Sequence, residues 1–150
     1  MKMINSSLFT SNKHDWCTPQ KLFDEWNAEF LFTLDAAATP ANAKCKKYFT
    51  PEDDALNQNW AGNTVFLNPP YGKSIGQWVK KAYEESQKPK TTVVMLIPSR
   101  TDTAYFHDYI LDKAEIRFIR GRIKFTNDEG KSANSAPFPS IIIIYKGKET

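Results

Sequence analysis

The strongest constraint on this chain is the way one short apolar run is cut off. Thr64-Val65-Phe66-Leu67 is followed at once by Asn68-Pro69-Pro70-Tyr71. Proline has no N–H to give to a sheet ladder, and its ring restricts the residue before it. A strand over 64–67 must therefore stop there and present Asn68 and Tyr71 from a stiff loop at its carboxyl end. In open α/β sheets that edge is where ligands bind. The tetrapeptide suits a planar amino group. The Asn68 side-chain oxygen and the Pro69 carbonyl can each accept one N–H of an exocyclic amine, while the Tyr71 ring stacks on the attached base. A Pro-Pro pair alone reads as a turn beside a buried tyrosine. Directly behind a β-branched and aromatic run, it reads as a site.

The rest of the chain supplies elements for such a sheet. Thr18-Pro19 predicts a helix start, with the threonine hydroxyl as N-cap and proline in the first turn. Leu22, Phe23, Trp26 and Phe30 recur at helical spacing behind it, giving a helix over about 19–29. Phe32-Thr33-Leu34 predicts a short strand ending at Asp35, and 36–47 a short helix interrupted by Pro40. Residues 53–60 read as a polar connection. A second helix is expected over 75–86, with Ile75, Trp78, Val79 and Ala82 on one face. The continuous apolar run 92–97, closed by Pro98, predicts a strand buried on both faces. A helix over 104–111 and strands over 115–120 and 141–145 follow, with a Gly, Ser, Asn and Pro-rich loop over 127–139. Strands alternating with helices predict an α/β fold around a mostly parallel, doubly wound sheet. The last two strands have no helix between them and are expected to pair antiparallel at one edge.

A length of 150 residues predicts one domain, here 15–150, behind a polar, flexible tail over 1–14. A separate target-recognition domain is not expected. No apolar stretch is long enough for a membrane span or a secretory signal, which predicts a cytoplasmic protein. Cys17 and Cys45 lack zinc spacing and read as reduced, partly buried residues. His14 and His107 are isolated, so no metal is expected. The formal charge of +3 is mild, but its distribution is informative. Lys44, Lys46 and Lys47 form one cluster. Lys113, Arg117, Arg120, Arg122 and Lys124 form another, interleaved with Phe118 and Phe125, a mixture suited to phosphate contacts beside a base-stacking ring.

Trp16-Cys17-Thr18-Pro19, Leu34-Asp35-Ala36-Ala37-Ala38, Asp53-Asp54-Ala55-Leu56, Asn68 to Tyr71 and Arg120-Gly121-Arg122-Ile123-Lys124-Phe125 stand in the order found in small phage-type DNA N6-adenine methyltransferases of the Dam family, which the chain resembles from about Asp15 to Tyr145. The resemblance implies a Rossmann-like methyltransferase fold, S-adenosylmethionine as cofactor, adenine-containing DNA as substrate and a phage or prophage origin. It implies a catalytic loop of Asn68, Pro69, Pro70 and Tyr71. It also implies cofactor contacts from Trp16, Thr18, Pro19 and Asp35, and from Asp54 as acceptor for the cofactor's adenine amine, with Asp53 as its rival. Asp35 can equally serve as a structural cap, and the Asp-Ala-Ala-Ala segment lacks the glycines usual in the wider superfamily. A base flipped out of the duplex needs a clamp. Tyr71 supplies one face and Phe125 is the candidate for the other, with Phe138 as alternative. Arg120, Arg122 and Lys124 are the expected phosphate contacts.

The absence of a Pro-Cys pair argues against methylation at a pyrimidine carbon, which needs a cysteine nucleophile. Two other readings stay open on sequence: a protein-glutamine or RNA-adenine methyltransferase, and a catalytically silent nucleic-acid-binding module. Oligomeric state is also open, a monomer being compatible with the chain.

Overall fold

Three β-branched, apolar segments build the centre of the molecule. In the computed structural model, which describes residues 16–127, 129–131 and 135–149, strands β2 (Thr64–Leu67), β3 (Thr92–Pro98) and β5 (Ser140–Tyr145) occupy the middle of a five-stranded sheet. β1 (Leu34–Asp35) and β4 (Glu115–Phe118) are its edges, in the order β1-β2-β3-β5-β4. β1, β2 and β3 are parallel, with Leu34 opposite Val65 and Phe66 opposite Val94. β5 runs antiparallel to both β3 and β4, so β4 points the same way as the first three strands. The antiparallel pair lies at one edge, as the sequence predicts.

Burial on both faces explains why the central strands are continuous apolar runs rather than alternating ones. On one face, Val94, Leu96, Ile142 and Ile144 pack under helix α1 (Gln20–Phe30) through Leu22, Trp26 and Phe30. On the other, Val93, Met95, Ile97, Ile141 and Ile143 pack under α2 (Ile75–Ser86) and α3 (Ala104–Tyr109). Arg117 on β4 donates two hydrogen bonds of 2.7 Å to the Glu29 carboxylate on α1, tying the edge strand to the helix above it.

Several local expectations change. Thr18 does not cap α1: the cap position falls on Pro19, and no side chain caps the helix there. Residues 36–47 form no helix. Their backbone is committed elsewhere, with Asp35 N–H donating to Lys47 O, Phe49 N–H to Asp35 O and Ala38 N–H to Phe49 O at 2.9–3.0 Å. The 53–60 segment is more ordered than a polar connection. Two 3-10 turns, Pro51–Asp53 and Ala55–Asn57, lead into a fully buried Trp60. The tail expected over 1–14 lies outside the described residues. No described helix is long and apolar enough to cross a membrane, and no group of metal-binding side chains occurs among the described residues.

Candidate active site

Because β1, β2, β3 and β4 share one direction, their carboxyl ends meet at one edge, where β5 also begins. This topology gathers the segments after Asp35, Leu67, Pro98 and Phe118, together with the 137–139 segment before β5. Asn68 is completely buried and Pro69 is buried beside it. The Asn68 amide nitrogen donates to the Trp16 carbonyl at 2.7 Å and to the Thr18 hydroxyl at 3.1 Å. A carbonyl can only accept, so the nitrogen of the amide must face Trp16. Tyr71 is also buried, and its hydroxyl donates to the Leu96 carbonyl at 3.2 Å. Burial pushes its phenol far above the ordinary range, so it stays neutral.

Pro70 and Tyr71 line two different hollows, whereas Asn68 and Pro69 are lining residues of neither. Pro70 lines a cavity of about 410 Å³, together with Ala36, Ala37, Ala38, Phe49, Asp54 and Trp78. Tyr71 lines a cleft of about 900 Å³ with Trp16 and Phe138. Lys73, Lys80 and Arg100 also stand on its walls, and Asp108 is its one acid among the described residues.

The smaller cavity distinguishes the two adjacent aspartates. Asp53 accepts from the Thr50 N–H at 2.8 Å and from its hydroxyl at 3.1 Å, closing a capping box. Asp54 has a left-handed φ of 56°, which Asp tolerates better than most residues. It accepts from Asn57 Nδ2 at 2.6 Å and is the aspartate that lines the cavity. Asp35 is buried, and its carboxylate accepts from the Ala37 and Lys44 amides at 3.3 and 3.0 Å. It shapes the loop whose alanines form the cavity wall. Thr18, Pro19 and Asp35 are not lining residues of either hollow, and Trp16 opens onto the larger cleft. Cys45 lies half-buried near Asp35; burial first, and that carboxylate second, push its thiol up to about 12.

In the larger cleft, the Trp16 ring lies 5.4 Å from Phe138 and 5.5 Å from Phe125, and Tyr71 meets Phe138 edge-on at 5.7 Å. Phe125 is fully buried and does not line the cleft, whereas Phe138 does. Arg120, Arg122 and Lys124 are exposed beside this aromatic group, and Arg122 donates to the Ala136 carbonyl at 3.3 Å. Sequence reasoning missed Lys73, Lys80 and Arg100. Lys73 and Arg100 lie just beyond strand ends, so the carboxyl-edge rule already pointed to them. Lys80 follows Gly76 and Gln77 at helical spacing on the same wall.

A small apolar cavity and a broad aromatic cleft thus meet neighbouring residues of one proline-rich loop at the sheet's carboxyl edge, a site with two compartments. The profile of a family described as DNA N-6-adenine-methyltransferase (Dam) matches residues 5–150. The chain belongs to that family. It is similar to a DNA N-6-adenine-methyltransferase of Haemophilus phage HP1, with 31% identity over 97% of this chain and 86% of the phage protein. A protein of the same description from Escherichia phage T1 is 30% identical over 87% of this chain and 62% of its own length. A putative methyltransferase, YfdM, of Escherichia coli is 38% identical over 37% of the chain and 69% of its own length.

Proposed function

We propose that the protein transfers a methyl group from S-adenosylmethionine to the N6 amine of an adenine flipped out of DNA, on a Rossmann-like methyltransferase fold. The observation that carries this reading is that Pro70 and Tyr71, adjacent in the tetrapeptide, line two different hollows at the carboxyl edge of the sheet. Helices on both faces of a sheet whose strand ends converge on the site support the fold assignment.

The smaller cavity fits the cofactor in size and chemistry. Its volume of about 410 Å³ falls within the roughly 300–1,000 Å³ usual for small-molecule sites. Asp54 would hold the cofactor's adenine amine as an acceptor-only group. Phe49 and Trp78 would cover the apolar part of the ligand, and Ala36–Ala38 are small enough for close approach. Asp35 would support this side through the loop it anchors, whereas Trp16 opens onto the larger cleft and Thr18 meets Asn68. When bound, S-adenosylmethionine supplies an already activated methyl group.

The chain's own contribution is orientation and charge. The target amine is a weak nucleophile because its lone pair is delocalised into the ring. Asn68 Oδ1 and the Pro69 carbonyl would each accept one of its N–H groups, favouring a pyramidal nitrogen and stabilising the positive charge that develops there. Tyr71 would stack on one face of the base and Phe138 close the other, with Phe125 buttressing both rings from behind. Lys73, Lys80 and Arg100 within the cleft, and Arg120, Arg122 and Lys124 beside it, would meet phosphates.

The test is incubation with labelled S-adenosylmethionine and DNA, RNA or protein in parallel, with nucleic-acid products digested to nucleosides. N6-methyladenine from DNA is the expected product. Label confined to RNA or protein, or no transfer at all, would replace this reading.

A further inference from the structure

Three consecutive residues, Trp16 to Thr18, join the aromatic group, the Asn68 amide and the 39–43 loop although they precede the first helix. Cys17 and Thr126 exchange backbone hydrogen bonds of 3.0 and 2.9 Å in an antiparallel bridge, which fixes the segment beside the aromatic group. On the other side, Asn42 Nδ2 lies 3.4 Å from Cys17 Sγ, linking the segment to the loop that walls the smaller cavity. Between these anchors, the Trp16 carbonyl and the Thr18 hydroxyl receive the amide nitrogen of Asn68.

We propose that Thr18 is a positioning residue for methyl transfer, which with the Trp16 carbonyl holds the Asn68 amide in the one orientation that aims its oxygen at the target amine. This rests on the function proposed above. A half-turn of the amide would set its oxygen 2.7 Å from a carbonyl oxygen, two acceptors facing each other. The Trp16 contact thus excludes the flipped form. The Thr18 contact occupies the second N–H and fixes the plane of the amide. Thr18 is 2% exposed and Asn68 0%, so water is poorly placed to replace a missing partner. Among the described residues, the threonine hydroxyl neither caps α1 nor lines either hollow; it meets the Asn68 amide instead.

Thr18→Val keeps the shape of the side chain and removes the acceptor, while Thr18→Ser keeps the hydroxyl. Single-turnover methylation should be about tenfold slower in Thr18→Val, the scale of removing one hydrogen bond. Affinities for S-adenosylmethionine and DNA should stay within about twofold, and Thr18→Ser should recover most of the rate. Nitrogen-resolved NMR of the Asn68 side-chain amide should show shifted signals and faster solvent exchange in Thr18→Val, and parental behaviour in Thr18→Ser. If valine prevents folding, Thr18→Ala takes the same measurements. A parental rate in the hydroxyl-free variant would overturn the proposal, as would equal loss in the serine variant. A loss confined to cofactor affinity would instead make Thr18 a cofactor contact. Should the parent protein produce no N6-methyladenine, the proposed function falls, and unchanged Asn68 amide signals in Thr18→Val would independently dismiss the positioning role.

Discussion

The two hollows beside the Asn68–Tyr71 loop are made of opposite materials. The cavity behind Pro70 is walled by four alanines and by Phe49 and Trp78, with Asp54 as its carboxylate. The cleft in front of Tyr71 is more than twice as large, ringed by aromatics and lined by Lys73, Lys80 and Arg100 against Asp108. A small apolar cavity with one well-placed acceptor selects a defined small molecule. A wide cationic cleft selects a polyanion by charge and a base by stacking. On the function proposed above, recognition of the two ligands is therefore separable, the hollows being adjacent at Pro70 and Tyr71.

Substitution of Asn68 should have the largest effect because its proposed role is in the transfer step itself. Asn68→Ala should slow the chemical step by on the order of 10²–10³ or more, by analogy with loss of one preorganised oxyanion-hole donor, while both ligands still bind. Single-turnover kinetics beside equilibrium binding would check this. Asn68→Asp keeps an acceptor, but it sets a carboxylate oxygen against the Trp16 carbonyl and should also be severely impaired.

Removing the cleft cations should strike one side only. The triple change of Lys73, Lys80 and Arg100 to Ala should weaken DNA binding at least tenfold. It should also reduce the slope of log affinity against log salt by about 0.9 for each phosphate that is no longer neutralised. Cofactor affinity should not change. A salt slope equal to the parent's would mean that these cations are merely solvated and would erase the charge contrast between the two hollows. Asp54→Ala is the reciprocal test: cofactor affinity should fall about tenfold, the scale of a hydrogen bond to a charged group, with DNA affinity preserved. Calorimetry on both ligands would measure that dissociation. The smallest effect is expected from Asp53→Ala, which opens the Thr50 capping box at a cost of about 1 kcal/mol and should leave cofactor affinity within about twofold. A larger loss of affinity there than in Asp54→Ala would reverse the assignment of the pair.

Much of this was legible from the chain because the signals are local. The runs ending at Leu67 and Pro98 announce strands through β-branched content and a terminal proline. The carboxyl-edge rule then places Asn68 and Tyr71 without further information. What was hidden depends on distant or conformational facts. Thr18 reads as a cap until its hydroxyl is seen to meet an amide 50 residues away. Asp53 and Asp54 are chemically identical in sequence and are separated by a left-handed backbone and a capping box. Phe125 and Phe138 differ in exposure, which composition does not encode. The 36–47 segment has helix-compatible alanines and lysines, yet pairing with Asp35 and Phe49 outweighs that local preference.

The placement of β5 has a consequence for how the protein is made. Among the described strands, β4 pairs only with β5, and β5 is the partner that joins it to β3. Segments 98–124, which carry one wall of the larger cleft, are therefore synthesised before the strand that fastens them to the sheet. Until 140–145 emerges, β3 has one edge open and the Arg120–Lys124 segment has no frame. Closure of the sheet is a long-range event that ordinarily comes late and slowly. The carboxyl edge is thus completed only when the last of the described strands pairs, and a chain interrupted before 140–145 would lack the strand that joins β4 to β3.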